Sequence, residues 1–297
     1  MKSATLLHNP KAGDEANTRT ELLFKIKTEG FECNYSPLDQ HDWNEINEVT
    51  DFLIIAGGDG TVRNAAIELL EKQLNQKYPI ALLPIGTANN IAKTLGISAG
   101  EKSIIQSWHQ QKLKKFDVGR IISGSYTGYF LESFGYGVFP LLMQVMKKQD
   151  SQLMDSPEKK MNLALKLLQE IITTYSAPHC DLEIDGKDYA GNYLLMEIMN
   201  TKSIGPNLML SPHGDPGDGQ FEVVMIPEQQ KEKFLLQVFE MFNGTEQHYK
   251  FDLIKGKNIK LNCTESPCHV DDELINLDKG EEINIQLMEG MFTFLVQ

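Results

Sequence analysis

The sequence predicts two domains: an α/β domain with a mostly parallel sheet, followed by a β-rich, sandwich-like domain. Strand-like and helix-like stretches alternate up to about residue 112, the pattern of a parallel sheet covered on both faces. Three loops of small and polar residues follow strands in that half, where open α/β sheets gather their ligands. After Lys114 the chain turns to short strand-like runs suited to antiparallel pairing. The expected domains are residues 1–122 and 123–287, with 288–297 available to complete the first.

The first strand is expected over residues 4–8, ending in Asn9-Pro10-Lys11-Ala12-Gly13. Residues 15–27 carry helical spacing, with Leu22, Leu23 and Ile26 as the apolar face and Gly30 as the stop. A second strand covers 31–35 and a short helix 42–49. The apolar run 51–56 is the next strand. It meets Gly57-Gly58-Asp59-Gly60-Thr61, and a helix is expected over 63–73. Residues 79–84 form a strand that ends in Ile85-Gly86-Thr87-Ala88-Asn89-Asn90, before helices at 91–95 and 101–111.

In the second half, residues 116–122 and 128–133 are expected to form a hairpin, and 161–175 a strongly amphipathic helix. Strands are expected at 181–184, 193–199, 221–226, 259–263 and 283–287, with a helix at 231–242 between them. Residues 292–296 form a separate final strand.

The glycine-rich loop at 57–61 points to a phosphate. Glycines let backbone amides approach closely, and the helix N-terminus behind them adds partial positive charge. Asp59 would repel a phosphate, so it fits such a site through Mg²⁺ or a water. An ordinary strand-to-helix turn capped by Asp59 or Thr61 is the simpler alternative.

The 297 residues carry a net charge of −13, which argues against a nucleic-acid binder because phosphates need a basic surface. No run approaches the roughly 18 apolar residues of a membrane span. The first ten residues are too short in their apolar part for a signal peptide, and four scattered cysteines suit reduced thiols. A cytoplasmic protein is expected. Cys263 to His269 has some look of a metal motif but lacks a second ligand pair, so a turn between strands is the expectation.

The ordered set of motifs resembles the diacylglycerol kinase catalytic-domain family, especially its soluble bacterial lipid kinases, with sphingosine kinases as relatives. The resemblance rests on Asn9-Pro10-Lys11-Ala12-Gly13, Gly57-Gly58-Asp59-Gly60-Thr61, and the segment from Leu83 to Asn89. It continues through Glu132-Ser133-Phe134-Gly135-Tyr136-Gly137, the segment from Ser211 to Gly219, and Val270-Asp271-Asp272-Glu273. NAD kinases and phosphofructokinases share the Gly-Gly-Asp-Gly signature; the two late segments favour the lipid-kinase branch.

The resemblance implies the two-domain architecture of NAD kinases and diacylglycerol kinases, with ATP and Mg²⁺ as cofactors. The amides of Gly57, Gly58 and Gly60 and the Thr61 hydroxyl would hold the ATP phosphates, and Asp59 would organise catalytic Mg²⁺. Asn9 and Lys11 would flank the phosphates, with Thr87 and Asn89 completing the nucleotide cleft. Asp271 would be the general base, with Glu273 the alternate acid, among three neighbouring acids that raise one another's pKa. Asp218 would hold a structural Mg²⁺ or Ca²⁺ with the carbonyls of Asp215 and Gln220; a glycine-rich turn without metal is the alternative.

The implied activity is an ATP-dependent lipid kinase that phosphorylates a hydroxyl of diacylglycerol or a related lipid. Such an enzyme would touch the membrane surface transiently, and the resemblance also allows a homodimer. A small-molecule kinase of NAD-kinase type and a non-catalytic nucleotide- or lipid-binding homologue remain open. Three residues depart from the family pattern: Asn64 where relatives carry Glu, Asn90 where many carry Asp, and Asp272 where glycine is usual. Residues 200–206 hold one glycine where relatives often have a cluster.

Overall fold

A computed structural model describes residues 2–9, 18–38, 50–149, 156–205, 208–245, 251–263, 267–278 and 280–297. The chain divides into two compact units. One comprises Met1–Asp117, Asp215–Asp218 and Glu289–Gln297; the other comprises Val118–Gly214 and Gly219–Met288.

In the first unit, β1 (Ser3–His8) and β3 (Phe52–Gly57) are apolar runs buried along their whole length. Continuous burial is what a parallel strand covered on both faces requires. Helix α1 (Arg19–Thr28) lies between β1 and β2 (Glu32–Pro37) in the chain. It opens with a capping box in which Thr18 accepts from the Glu21 amide and the Glu21 carboxylate accepts from the Thr18 amide. Helix α2 (Asp59–Glu71) follows β3, and β4 (Ile80–Pro84) precedes the short helices α3 (Asn90–Thr94) and α4 (Glu101–Ser107).

The strands pair in parallel in the order β2-β1-β3-β4, and the end of the chain adds a further parallel neighbour at Phe294 beside Ile80. The order reverses between β1 and β3, so the carboxyl ends of these two strands mark the switch point where such sheets bind ligands. Phe31, Phe52 and Trp108 meet edge-on beneath the sheet's end, all fully buried.

Two expectations change here. The helix after the glycine loop begins at Asp59 rather than at 63, because Gly58 is its N-cap and Asp59-Gly60-Thr61-Val62 is its first turn. The helix expected to reach residue 111 stops at Ser107 and gives way to one 3₁₀ turn, Trp108–Gln110, closed by Gln111 at φ 52°. The helix expected at 42–49 and the start of the one expected at 15–27 lie outside the described residues.

The second half of the chain opens with β5 (Leu113–Ile122) and β6 (Thr127–Phe130), an antiparallel hairpin. Strand β7 (Ser133–Gly137) leads into α5 (Val138–Met146), and α6 (Pro157–Thr174) follows. Next come β8 (His179–Ile184), the short β9 (Lys187–Asp188), β10 (Gly191–Met199), and the two-residue strands β11 (Ser203–Ile204) and β12 (Leu208–Met209). The order continues with β13 (Phe221–Pro227), α7 (Lys231–Phe242), β14 (Asp252–Gly256), β15 (Asn258–Cys263), β16 (Cys268–Val270), β17 (Glu273–Ile275) and β18 (Ile283–Leu295).

Strand β10 is the pivot of this second unit. Its first residues pair with β8, and after an irregularity between Tyr193 and Leu195 it pairs with β7 and β13. A strand that changes neighbours at a bulge makes the corner of a sandwich. The side chains alternate accordingly along β13: Val223 and Met225 enter one core with Phe130, Phe134 and Phe221, while Val224 and Ile226 enter a second core. That second core lies under α5, α6 and α7, where Val138, Leu165 and Phe234 pack.

Helix α5 is absent from the sequence-based expectation, because Phe139-Pro140-Leu141-Leu142 reads as an apolar run with a breaker. The proline sits in the first turn, where its missing amide costs the helix nothing. Residues 283–287 and 292–296 are one continuous strand, not two. Gly290, which looks like a break, takes φ 58°, and its amide donates to the Asp117 carboxylate at 2.6 Å. Among the described residues no helix is long and apolar enough to cross a membrane.

Candidate active site

In the first unit two of the three phosphate-friendly loops come together at the carboxyl ends of β3 and β4. Their backbones touch: a Cβ on Gly86 would collide with the Cα of Gly58, so the second loop does not tolerate a side chain at the contact. A Cβ on Gly57 would strike the side chain of Thr61, one turn into α2. Gly58, as N-cap, supplies no side chain to the amides that open this helix. The N-terminus therefore keeps the electropositive character that favours an anion.

Asp59 does something its sequence position does not reveal. Its Oδ2 accepts from the Asn90 amide at 2.9 Å and its Oδ1 from the Ile91 amide at 3.0 Å. The carboxylate thus caps α3 from another loop. Asn89, at φ 52°, does not cap the helix; it closes its own loop instead. Its Oδ1 accepts from the Gly86 amide at 3.1 Å, and its Nδ2 donates to the Gly86 carbonyl at 2.7 Å.

Thr61 is buried and Thr87 is exposed. Asn9 is half-buried just beyond the end of β1, and Lys11 lies outside the described residues. Of the departures from the family pattern, Asn64 is exposed on α2, whereas Asn90 is buried beside Asp59. No local pattern singles out His8. It ends β1, is almost fully buried, and places Nδ1 3.3 Å from the Tyr35 hydroxyl. Burial lowers its pKa, which favours the neutral imidazole.

In the second unit the acidic turn links β16 to β17. Asp271 is buried and left-handed, with φ 52°, a conformation that costs a non-glycine residue about 1–2 kcal/mol. Backbone groups hold it there. Its amide donates to the Ser133 carbonyl at 2.8 Å. Its carboxylate accepts from the amides of Leu131 at 3.1 Å, Glu132 at 2.7 Å and Ser133 at 3.1 Å. Asn200 clamps the same segment from the other side, its Nδ2 donating to the Leu131 carbonyl at 3.0 Å and its amide to the Glu132 carbonyl at 2.8 Å. The three acids therefore do not share one environment: Asp271 is tied into the backbone, while Asp272 and Glu273 are exposed.

Beneath this turn lies a pair the sequence did not disclose. His269 and Glu197 are both fully buried, with Nε2 of the imidazole 3.0 Å from each carboxylate oxygen. Burial works against a charged imidazole. The Glu197 carboxylate, together with the Asp271 carbonyl and charge, outweighs it and raises the His269 pKa.

The turn expected to hold a structural cation is satisfied by protein groups. The Asp215 carboxylate accepts from the Gly217 amide at 3.1 Å and pairs with the Lys114 ammonium at 2.9 Å. The Asp215 carbonyl accepts from the Asp218 amide at 3.3 Å, and the Pro216 carbonyl from the Asp117 amide at 2.6 Å. Gly217 presses so closely on the Lys115 carbonyl that a Cβ would collide with it. Asp218 is exposed, and Gln220 belongs to the second unit. Among the described residues no three His, Cys, Asp or Glu side chains converge as a metal cluster. The Lys114 ammonium balances the charge of the Asp215 carboxylate.

Comparison with known proteins places these elements. The family described as "Diacylglycerol kinase catalytic domain" matches residues 3–121, and "YegS C-terminal NAD kinase beta sandwich-like domain" matches residues 143–283. A diacylglycerol kinase of Bacillus subtilis is 24% identical, over 96% of this chain and 94% of that protein. A diacylglycerol kinase of Mycobacterium tuberculosis is 23% identical, over 87% of this chain and 84% of its own length. The crystal structure of a diacylglycerol kinase from Bacillus anthracis covers 100% of this chain and 97% of its own, with a TM-score of 0.70 at 18% identity. That structural likeness establishes the fold.

Proposed function

We propose that the chain is an ATP-dependent kinase of a lipid hydroxyl, with diacylglycerol or a near relative as acceptor, a reading supported by the match of residues 3–121 to the diacylglycerol kinase catalytic domain. The observation that carries this reading is the joined pair of loops in the first unit. Gly58 touches Gly86, Asp59 caps α3, and the N-terminus of α2 behind the carboxyl end of β3 has no side-chain cap of its own.

These features fit a nucleotide triphosphate. The amides of Gly57, Gly58 and Gly60 and the Thr61 hydroxyl would hold phosphate oxygens, with Asn9, Lys11, Thr87 and Asn89 bordering them. ATP would supply the phosphoryl group, and Mg²⁺ would spread its charge. In this reading Asp59, held between the two loops by the Asn90 and Ile91 amides, would organise that ion. Phosphoryl transfer also needs a base for the attacking hydroxyl. Asp271 is committed to three amides, so its task in this reading is to fix the turn. Glu273, exposed at the head of β17, takes the hydroxyl proton.

The division of labour is tested by steady-state kinetics with ATP and diacylglycerol in mixed micelles. Glu273→Gln should lower kcat by about 10²- to 10⁴-fold, the usual worth of a general base, with the fold intact. A Glu273→Gln enzyme as fast as the parent would return the base assignment to Asp271.

A further inference from the structure

The buried pair Glu197–His269 is not needed to fill space, and its proton count is informative. The His269 Nδ1 lies 2.8 Å from the Asp271 carbonyl oxygen, which can only accept. Nδ1 must therefore carry a hydrogen. Nε2 lies 3.0 Å from both oxygens of Glu197, so one more proton sits between them. Either the imidazole holds it, facing a carboxylate, or Glu197 holds it and donates. In both forms the pair is neutral overall and the Nδ1 donor to Asp271 is locked on.

The surroundings are built for this pair. His269 sits opposite Gly135 in the β16–β7 register, and a Cβ on Gly135 would collide with the Glu197 carboxylate. The Phe139 ring of α5 meets the imidazole edge-on, its centroid 4.9 Å away. The charged groups acting on the imidazole are Glu197 from β10 and Asp271 at the end of its own strand.

What the pair holds is the carbonyl of a left-handed residue. Asp271 leaves β16 at φ 52°, and the direction of its carbonyl sets the course of Asp272 and Glu273. We infer that Glu197–His269 is a positioning pair: it pins the Asp271 carbonyl, keeps the Asp271 carboxylate seated on the amides of Leu131, Glu132 and Ser133, and so aims Glu273. The last step rests on the lipid-kinase reading above; the first two do not.

The test therefore has two readouts. In hydrogen exchange, His269→Gln and Glu197→Gln should each speed exchange of the Leu131, Glu132 and Ser133 amides relative to the strand amides of β13. In kinetics, each variant should lower kcat by about tenfold through misplacement of the acid while the KM for ATP stays as in the parent. The double variant should be no slower than the worse single one, because both act through one contact. Should His269→Gln fail to fold, Glu197→Gln, which keeps a hydrogen-bonding group of the same shape, carries the test. Unchanged exchange at residues 131–133 overturns the positioning claim whether or not the chain phosphorylates lipids. Faster exchange with kcat unchanged overturns the link to Glu273 alone. Altered exchange in a chain with no lipid turnover at all sinks the kinase reading and leaves the pair standing.

Discussion

Asp59 and Asp271 spend their carboxylates on backbone amides, and that changes how each should respond to mutation. Asp271→Ala removes an acceptor from three buried amides and also leaves a left-handed alanine. Its unfolding free energy in urea should fall by about 3 kcal/mol, in line with lost hydrogen bonds to a charged group. Asp59→Ala removes the cap of α3 and should cost about 1 kcal/mol, the typical worth of a cap. The KM for ATP should rise alongside, since the two loops lose their tie. His269 adds a pH signature. Its pKa is raised above the ordinary 6.5, so the folded state binds this proton more tightly than the unfolded state does. The stability it contributes is complete below about pH 6.5 and is lost as pH rises through the folded pKa. Denaturation midpoints should therefore decline on the alkaline side of neutrality, and His269→Gln should flatten that decline.

At the scale of elements, the sequence pattern showed which strands and helices exist better than where they begin. The period of Leu22 and Ile26, the run of β3 and the stripe on α6 follow from burial, and burial leaves its mark on hydrophobic spacing. The start of α2 was hidden because three glycines look like a turn, whereas here they form a helix entrance that another backbone approaches. The continuity of β18 through Gly290 was hidden because the Asp117 carboxylate that steadies it is far away in sequence. The site divides in the same way. Its loops were legible as local motifs. The cap from Asp59 to α3, the seat of Asp271 and the Glu197–His269 pair were not, since each joins distant segments and no local pattern encodes such a contact. The contact between the two loops gives its own prediction: Gly86→Ala drives a Cβ into the Gly58 backbone, which cannot yield as a side chain would. We expect a loss of about 1–3 kcal/mol, as for other overpacked sites, and weaker ATP binding by calorimetry.

The whole molecule is acidic, carries two compact units, and keeps the two joined glycine loops in one and the acidic turn in the other. The net charge of −13 disfavours nucleic acid. If ATP binds the folded chain, saturation at a hundred times Kd should raise its stability by about 2.7 kcal/mol, visible as a higher melting temperature. The measurement that tests the central claim most directly is transfer of the labelled γ-phosphoryl group of ATP to an acceptor panel of diacylglycerol, monoacylglycerol, sphingosine and NAD, with Mg²⁺ present. The account predicts label in the organic extract with a glycerolipid acceptor, and its loss in Glu273→Gln. Label on NAD alone, or ATP bound with no lipid labelled, would contradict it.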